Sequence, residues 1–294
     1  MLMGEHAVLH DYPAIVGAID RRIYVTLAPR SDNKINIIAE NFGKLETDID
    51  SLSADKDKKF NYVLAAITQL RSNLISGFDL HITSDFSDQL GLGSSAAVTV
   101  AVLAVIQKWL TAKIDLDEIY KLGIKTIHAV QHGLGSGADV AASIYGGIIV
   151  YQVEPLRIEP IDVIPEITLV YTGYKTPTVE VIKQVNQAAN AAPEYFDNLY
   201  KIIGDTVESG IKCLIQQDWQ QLGQLFLIHQ NALHSLGVSD AIIDGIIEKL
   251  KNMPTIYGAK ISGAGLGDCV IALGKVFMRE FQHIDVKIDK QGVI

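Results

Sequence analysis

The chain has 294 residues, of which 48% are hydrophobic and 20% charged, with a formal net charge of −9 at pH 7. That length holds one large domain or two moderate ones around a sizeable core. The acidic balance argues against a nucleic-acid partner, which requires a basic patch, but it leaves room for a small anion held by backbone N–H groups and one or two lysines.

Met1 to Met3 reads as the tail of a strand and runs directly into Gly4-Glu-His-Ala-Val8. Arg22 to Ala28 and Lys34 to Ala39 carry the β-branched and aromatic enrichment of strands. Thr47 to Lys59 is polar and reads as a solvated connection, and Phe60 to Leu74 has helical spacing through Val63, Ile67 and Leu70. Phe78 to Thr83 alternates like a half-buried strand and leads into Leu90-Gly-Leu-Gly-Ser-Ser-Ala-Ala-Val98. From Ala96 to Ile106 only Thr99 is polar, so a buried helix is expected to begin at Ser94 and Ser95 as capping residues. This apolar run falls short of the roughly 18 residues of a membrane span. No cationic segment precedes an apolar one as in a signal peptide, so no membrane partner is expected.

Asp115 to Glu118 has a D-x-x-E capping spacing that opens a helix ending near Gly133. Gly133, Gly135 and Gly137 precede Asp139 and a small-residue helix, followed by a strand over Gly146 to Gln152. The pattern weakens between Glu154 and Pro165, which sets the expected boundary between an N-terminal domain over 1–160 and a C-terminal domain over 161–294. Further on come a strand at Ile167 to Thr172, a helix opened by Thr176-Pro177, and mostly helix from Pro193 to Lys251 with a break near Gly237. Strands over Ile256 to Ser262 and Asp268 to Leu273 flank a second glycine turn, and Asp285 to Asp289 reads as an edge strand. Strands and helices without strict alternation favour an α+β fold. The two cysteines, Cys213 and Cys269, make no CxxC pair, so the expected setting is a reducing cytoplasm.

Chemistry concentrates in three glycine-bearing segments: Gly4 to His6, Gly91 to Ser95, and Lys260 to Gly267. Gly91 and Gly93 permit a tight turn and close approach of the backbone to another molecule. Fed into a helix N-terminus, such a turn presents free N–H groups and a positive dipole end to an anion. On this stretch alone, a phosphate site and an ordinary turn before a core helix stand level. Asp139 likewise has two readings, a helix N-cap or a general base for a hydroxyl undergoing phosphoryl transfer. His128 and His132 have i, i+4 spacing but no intervening glutamate and no third ligand, which argues against zinc. No Walker-type G-x-x-x-x-G-K-[ST] occurs.

In this order and spacing the three segments resemble the three motifs of the GHMP kinases, which phosphorylate small metabolites. Gly4-Glu-His-Ala-Val8 and Leu236-Gly-Val-Ser239 resemble the mevalonate kinases within that family. The resemblance implies a two-domain α+β fold with the active site in the cleft between domains. It implies ATP phosphates over Gly91, Leu92, Gly93, Ser94, Ser95 and Ala96, with Ser95 helping to hold Mg²⁺. It also implies a catalytic Asp139, and Glu5, His6, Gly263, Ala264 and Gly265 near the substrate. The acceptor it implies is the primary hydroxyl of mevalonate, in isoprenoid precursor synthesis, and a homodimer is consistent with the family.

The pattern departs from that family at three places. Mevalonate kinases carry a lysine five residues before the first glycine; counted back from Gly4, that place lies ahead of Met1. They carry a magnesium-binding glutamate eleven residues before the catalytic aspartate, where this chain has His128, a poor ligand for a hard ion. Gly135 to Ser143 and Gly267-Asp-Cys269 resemble phosphomevalonate kinases instead, so phosphomevalonate is the alternative acceptor, with Lys175, Lys183, Arg21 and Arg22 as candidate partners for its phosphate. A binding protein of the same fold without catalysis is the lesser alternative.

Overall fold

The computed structural model describes residues 1–40, 42–87, 90–277 and 280–294. Its strands are β1 (Ala14–Gly17), β2 (Ile23–Pro29), β3 (Lys34–Ala39), β4 (Gly43–Asp48), β5 (Phe78–Ser84), β6 (Ile148–Gln152), β7 (Arg157–Ile161), β8 (Ile167–Tyr171), β9 (Ile256–Ser262), β10 (Cys269–Gly274) and β11 (His283–Val286). Its helices are α1 (Asn61–Gln69), α2 (Ser94–Thr111), α3 (Leu116–Val130), α4 (Ala138–Tyr145), α5 (Thr178–Ala191), α6 (Pro193–Gln216), α7 (Trp219–Ser235) and α8 (Ala241–Lys251). The mixture is the α+β class that the pattern of elements implies.

Contacts divide the chain into two units, one of Met1–Asp20, Gln89–Gly91 and Gly146–Lys290, the other of Arg21–Asp88, Leu92–Tyr145 and Gln291–Ile294. This division differs from a single cut at residue 160. The weakly patterned stretch after Glu154 forms β7, which pairs antiparallel with β6, while β1 pairs with the other side of β6. Sheet pairing therefore draws the first twenty residues into the unit that contains most of the C-terminal half.

In the first unit a four-stranded antiparallel sheet runs in the order β11-β8-β10-β9. Val170, Ala259, Ile261, Val270 and Ala272 from this sheet pack with apolar residues of α5, α6, α7 and α8. The helices start where local chemistry lets them: Asp218 caps Gln221 of α7, and Asp240 caps Ile242 and Ile243 of α8. Pro193 opens α6 at its first turn, where a missing N–H costs nothing.

In the second unit the sheet order is β2-β5-β3-β4, with β3 and β5 parallel and the other neighbours antiparallel. Alternation along β5 buries Phe78, Leu80 and Ile82 against α1, α2 and α3. The helix α2 runs 18 residues, longer than its apolar core suggests, and by length and composition it could cross a membrane. Here it is a core helix instead, packed among α1, α3, α4 and β2. Asp115 caps α3 by accepting from the Glu118 N–H at 3.0 Å, as the D-x-x-E spacing predicts. The Glu118 side chain bonds Gln107 rather than closing a capping box.

Candidate functional site

The turn before α2 is left-handed at both glycines, with φ 66° at Gly91 and 79° at Gly93. Gly93 is the N-cap, so Ser94 and Ser95 lie inside the first helical turn rather than capping it. Being a glycine, this N-cap supplies no side-chain cap of its own. The first N–H groups of a helix lack intrahelical partners and have the positive end of the dipole behind them, which suits an incoming anion. The loop itself is half-buried.

Gly91 is constrained from a second direction. A Cβ at this position would lie 2.5 Å from the carboxylate carbon of Asp268, so only glycine fits. Asp268 is buried and itself left-handed, at φ 60°. Its backbone is pinned because its carbonyl accepts from the Thr172 N–H and hydroxyl, both at 3.0 Å, and its N–H donates to Tyr174. Lys175 Nζ stands 3.9 Å from Asp268 Oδ1. Beside it the Cys269 thiol donates to the Leu90 carbonyl at 3.2 Å. Burial, with the Asp268 charge adding to it, pushes that thiol up to about 12, so Cys269 is a packing group and no nucleophile. Asp268 carries no signal in the sequence beyond its place next to Gly267 in the third motif.

Asp139 is the second residue of α4, inside the first turn and not at its N-cap. The carboxylate is exposed, and its Oδ2 lies 3.9 Å from where a Cβ on Gly93 would sit. An acid is thus held next to the glycine turn before α2 and is not consumed by helix capping. The glycine turn that delivers it is anchored by His128, whose Nε2 lies 3.1 Å from the Gly135 carbonyl. A carbonyl only accepts, so this nitrogen carries the proton. His128 therefore acts on the backbone of the turn, and among the described residues no three His, Cys, Asp or Glu side chains gather into a metal site.

The first and third motifs meet within the other unit. Glu5, expected near the substrate, is enclosed at 2% exposure. Lys260, fully buried on β9, donates to its Oε1 at 2.6 Å and also to the Ile261 carbonyl. On the other side Nε2 of His229, from α7 and also fully buried, stands 3.1 Å from Glu5 Oε2. Burial opposes ionisation of Glu5, but the Lys260 charge and then the His229 contact overcome it and hold the carboxyl well below the usual range. Burial pushes Lys260 down against the pull of Glu5, and it pushes His229 down as well.

His6 follows in a strained turn. Its φ is 61° and ψ −49°, and the Ala7 N–H donates to the Glu5 carbonyl at 2.7 Å. That is a γ-turn of the rare, positive-φ hand, a conformation costing on the order of 1–3 kcal/mol that persists only where surrounding contacts enforce it. The His6 ring is buried and its Nε2 donates to the Ala264 carbonyl at 2.8 Å, joining motif one to the Gly263–Gly265 loop. The same loop is held by Leu236 to Ser239: the Leu266 N–H donates to the Val238 carbonyl at 2.8 Å. Gln230 of α7 bridges Ser239 and the Ile261 N–H. His229 and Gln230 carried no sequence signal, being two polar residues on an otherwise ordinary amphipathic helix. Lys260 did carry one, a lysine between Ala259 and Ile261 in a strand that reads as buried.

Arg22 donates to the carbonyls of Gln291 and Gly292, tying down the end of its own unit. Lys183 is exposed on α5.

Residues 61–147 match the family model described as GHMP kinases N terminal domain, and residues 211–277 the one described as GHMP kinases C terminal. A mevalonate kinase of Saccharolobus solfataricus is 28% identical over 302 residues, covering 100% of this chain and 95% of its own. That of Pyrococcus furiosus is 31% identical over 299 residues, covering 95% and 88%. The solved structure of the Methanococcus jannaschii mevalonate kinase superposes with a TM-score of 0.81 at 23% identity, over 98% of this chain and 95% of that one, and shares its fold.

Proposed function

Because this chain belongs to the GHMP kinases, we propose that it transfers the γ-phosphoryl group of ATP to the primary hydroxyl of mevalonate. The observation that carries the chemistry is the glycine-capped start of α2 with the Asp139 carboxylate beside Gly93. Phosphoryl transfer needs an anion cradle and a group that orients the attacking hydroxyl, and little covalent chemistry from the protein. The names of the relatives support mevalonate as acceptor.

On this reading the N–H groups of Gly93 to Ala96 hold the phosphates. The Asp139 carboxylate orients the acceptor hydroxyl and takes its proton as the new O–P bond forms. The bond from the γ-phosphorus to the β,γ-bridging oxygen breaks, and ADP leaves. His6 and the Gly263–Gly265 loop are the candidate contacts of the acceptor, with Glu5 behind them. The oxygen donors here suit Mg²⁺, which takes one or two protein oxygens and completes its shell with phosphate and water. The Ser95 hydroxyl would hold it, with Asp139 as the neighbouring carboxylate, and bound Mg²⁺ would neutralise charge on the phosphates. His128, committed to Gly135, would take no part.

A coupled ADP-release assay with mevalonate and phosphomevalonate side by side tests the proposal. Turnover with mevalonate alone is expected. Turnover only with phosphomevalonate would transfer the same chemistry to the other acceptor. ATP binding with neither acceptor turned over would refute the kinase reading in favour of a binding protein.

A further inference from the structure

Glu5, His229 and Lys260 are three ionisable side chains with at most 2% exposure, and the phosphoryl transfer described above uses none of them. Burying an ion pair is costly, and an apolar replacement of similar volume is often as stable or more so. Stability is therefore a weak reason for such a cluster to exist. Its location offers a better one. Glu5 is the residue whose carbonyl closes the γ-turn at His6, and its carboxylate is fixed on both sides, by Lys260 from β9 and by His229 from α7. The His6 ring, beyond the turn, is fixed by Ala264 four residues after Lys260. Strain at His6 relaxes unless both ends of the turn are held, and these contacts hold them.

We propose that Lys260 and His229 are positioning residues that clamp Glu5 and thereby keep the strained turn that aims His6 and the Gly263–Gly265 loop at the acceptor. The proposal rests on the kinase reading above, which makes those groups the acceptor's contacts. It separates the roles of the two motif-one residues: His6 faces the ligand, and Glu5 is the anchor of the turn. It also gives the lysine at the start of the third motif a task, joining the chain's first residues to its last sheet. The clamp is expected to act on acceptor binding and not on ATP binding, because Lys260 and His229 both reach Glu5, the residue next to His6 in the chain.

The test uses the full chain. Lys260→Met alone strands a buried carboxylate and is expected to unfold at markedly lower temperature. The informative variant is E5Q/K260M, which removes both charges at nearly constant volume. Its melting temperature is expected close to the wild type's, and its affinity for a non-hydrolysable ATP analogue within about twofold. Its KM for mevalonate is expected to rise at least about tenfold, since a small misplacement of a positioning group is costly. His229→Gln keeps a polar N–H group within reach of Glu5 and is expected to recover most of the activity that His229→Ala loses. The ¹⁵N shifts of His6 give a readout independent of turnover: one fixed tautomer with Nε2 protonated in the wild type, averaging in E5Q/K260M.

A well-folded E5Q/K260M with wild-type KM and an unchanged His6 tautomer would overturn the proposal. So would a parallel loss of ATP affinity, which would place the effect outside the acceptor side. A wild-type chain that fails to turn over mevalonate would sink the kinase reading instead, and the His6 tautomer would still decide the clamp.

Discussion

Replacing Gly91 by alanine isolates what the turn before α2 demands of its sequence. Gly91 has φ 66°, and holding an L-residue in that region costs ~1–2 kcal/mol. The new Cβ would stand 2.5 Å from Cγ and Oδ1 of Asp268 and 2.6 Å from its Cβ. Asp268 cannot swing away easily, because it is buried with its backbone held by Thr172 and Tyr174. Overpacking of this kind adds ~1–3 kcal/mol, so the total is about 2–5 kcal/mol. Gly93 is the internal control. Its φ of 79° carries the same conformational cost, but the nearest atoms to its Cβ are 3.9 Å away. Urea unfolding should show G91A less stable than G93A by ~1–3 kcal/mol. In a D268G background that excess should vanish, a double-mutant cycle removing whatever D268G does alone. A loop displaced by the clash should also bind the ATP analogue more weakly, tenfold for each ~1.4 kcal/mol. A G91A that costs no more than G93A, or that costs the same without the Asp268 side chain, would refute the clash with Asp268.

Asp139→Asn should lower kcat by roughly 10²–10⁴-fold with little change in affinity for the ATP analogue, and wild-type turnover would remove Asp139 from the mechanism. His128→Ala should lower kcat about fivefold, the worth of one hydrogen bond of ~1 kcal/mol, with His128→Gln closer to wild type. The Mg²⁺ concentration for half-maximal rate should be unchanged in both, whereas a large rise would identify His128 as a metal ligand. Acid should destabilise the protein in two stages. Burial lowers the pKa of His6 and His229 below 6.5, so unfolding takes up protons once the pH falls below that value and stability declines. Glu5 is likewise depressed, so its contribution, fully present above the ordinary 4.5, is lost as the pH falls below it. Urea midpoints from pH 8 to 2.5 read both stages, and His229→Gln should flatten the slope just below pH 6.5. Asp115→Ala should cost ~1 kcal/mol through its helix cap while leaving the mevalonate KM unchanged.

How far each strand could be read depended on where it lies. β3 and β9 occupy the residues that their composition marks. The unread strands are β1, β4 and β7. Ala14 to Gly17 is four apolar residues with no alternation, too short for periodicity to register. Gly43 to Asp48 is an edge strand with no apolar alternation, and its last two residues, Thr47 and Asp48, fall in the polar stretch that reads as a connection. Arg157 to Ile161 includes Pro160, tolerated because β7 is the last strand of its sheet. Without β1 and β7, nothing in the sequence could show that the first twenty residues join the sheet of β6.

Determined by sequence alone were the features set by local physics. A left-handed turn requires glycine at Gly91 and Gly93, a long apolar helix follows, and the Asp115 cap sits at its spacing, all within a few residues of chain. The roles decided by tertiary structure concern groups distant in sequence. Glu5 and Lys260 are 255 residues apart, and their buried ion pair exists only once β9 and α7 close around Glu5. Gly91 needs glycine for its own φ, but the exclusion of every side chain there comes from Asp268, far along the chain. Such pairings depend on which surfaces the folded chain brings together, and no window of sequence contains both partners.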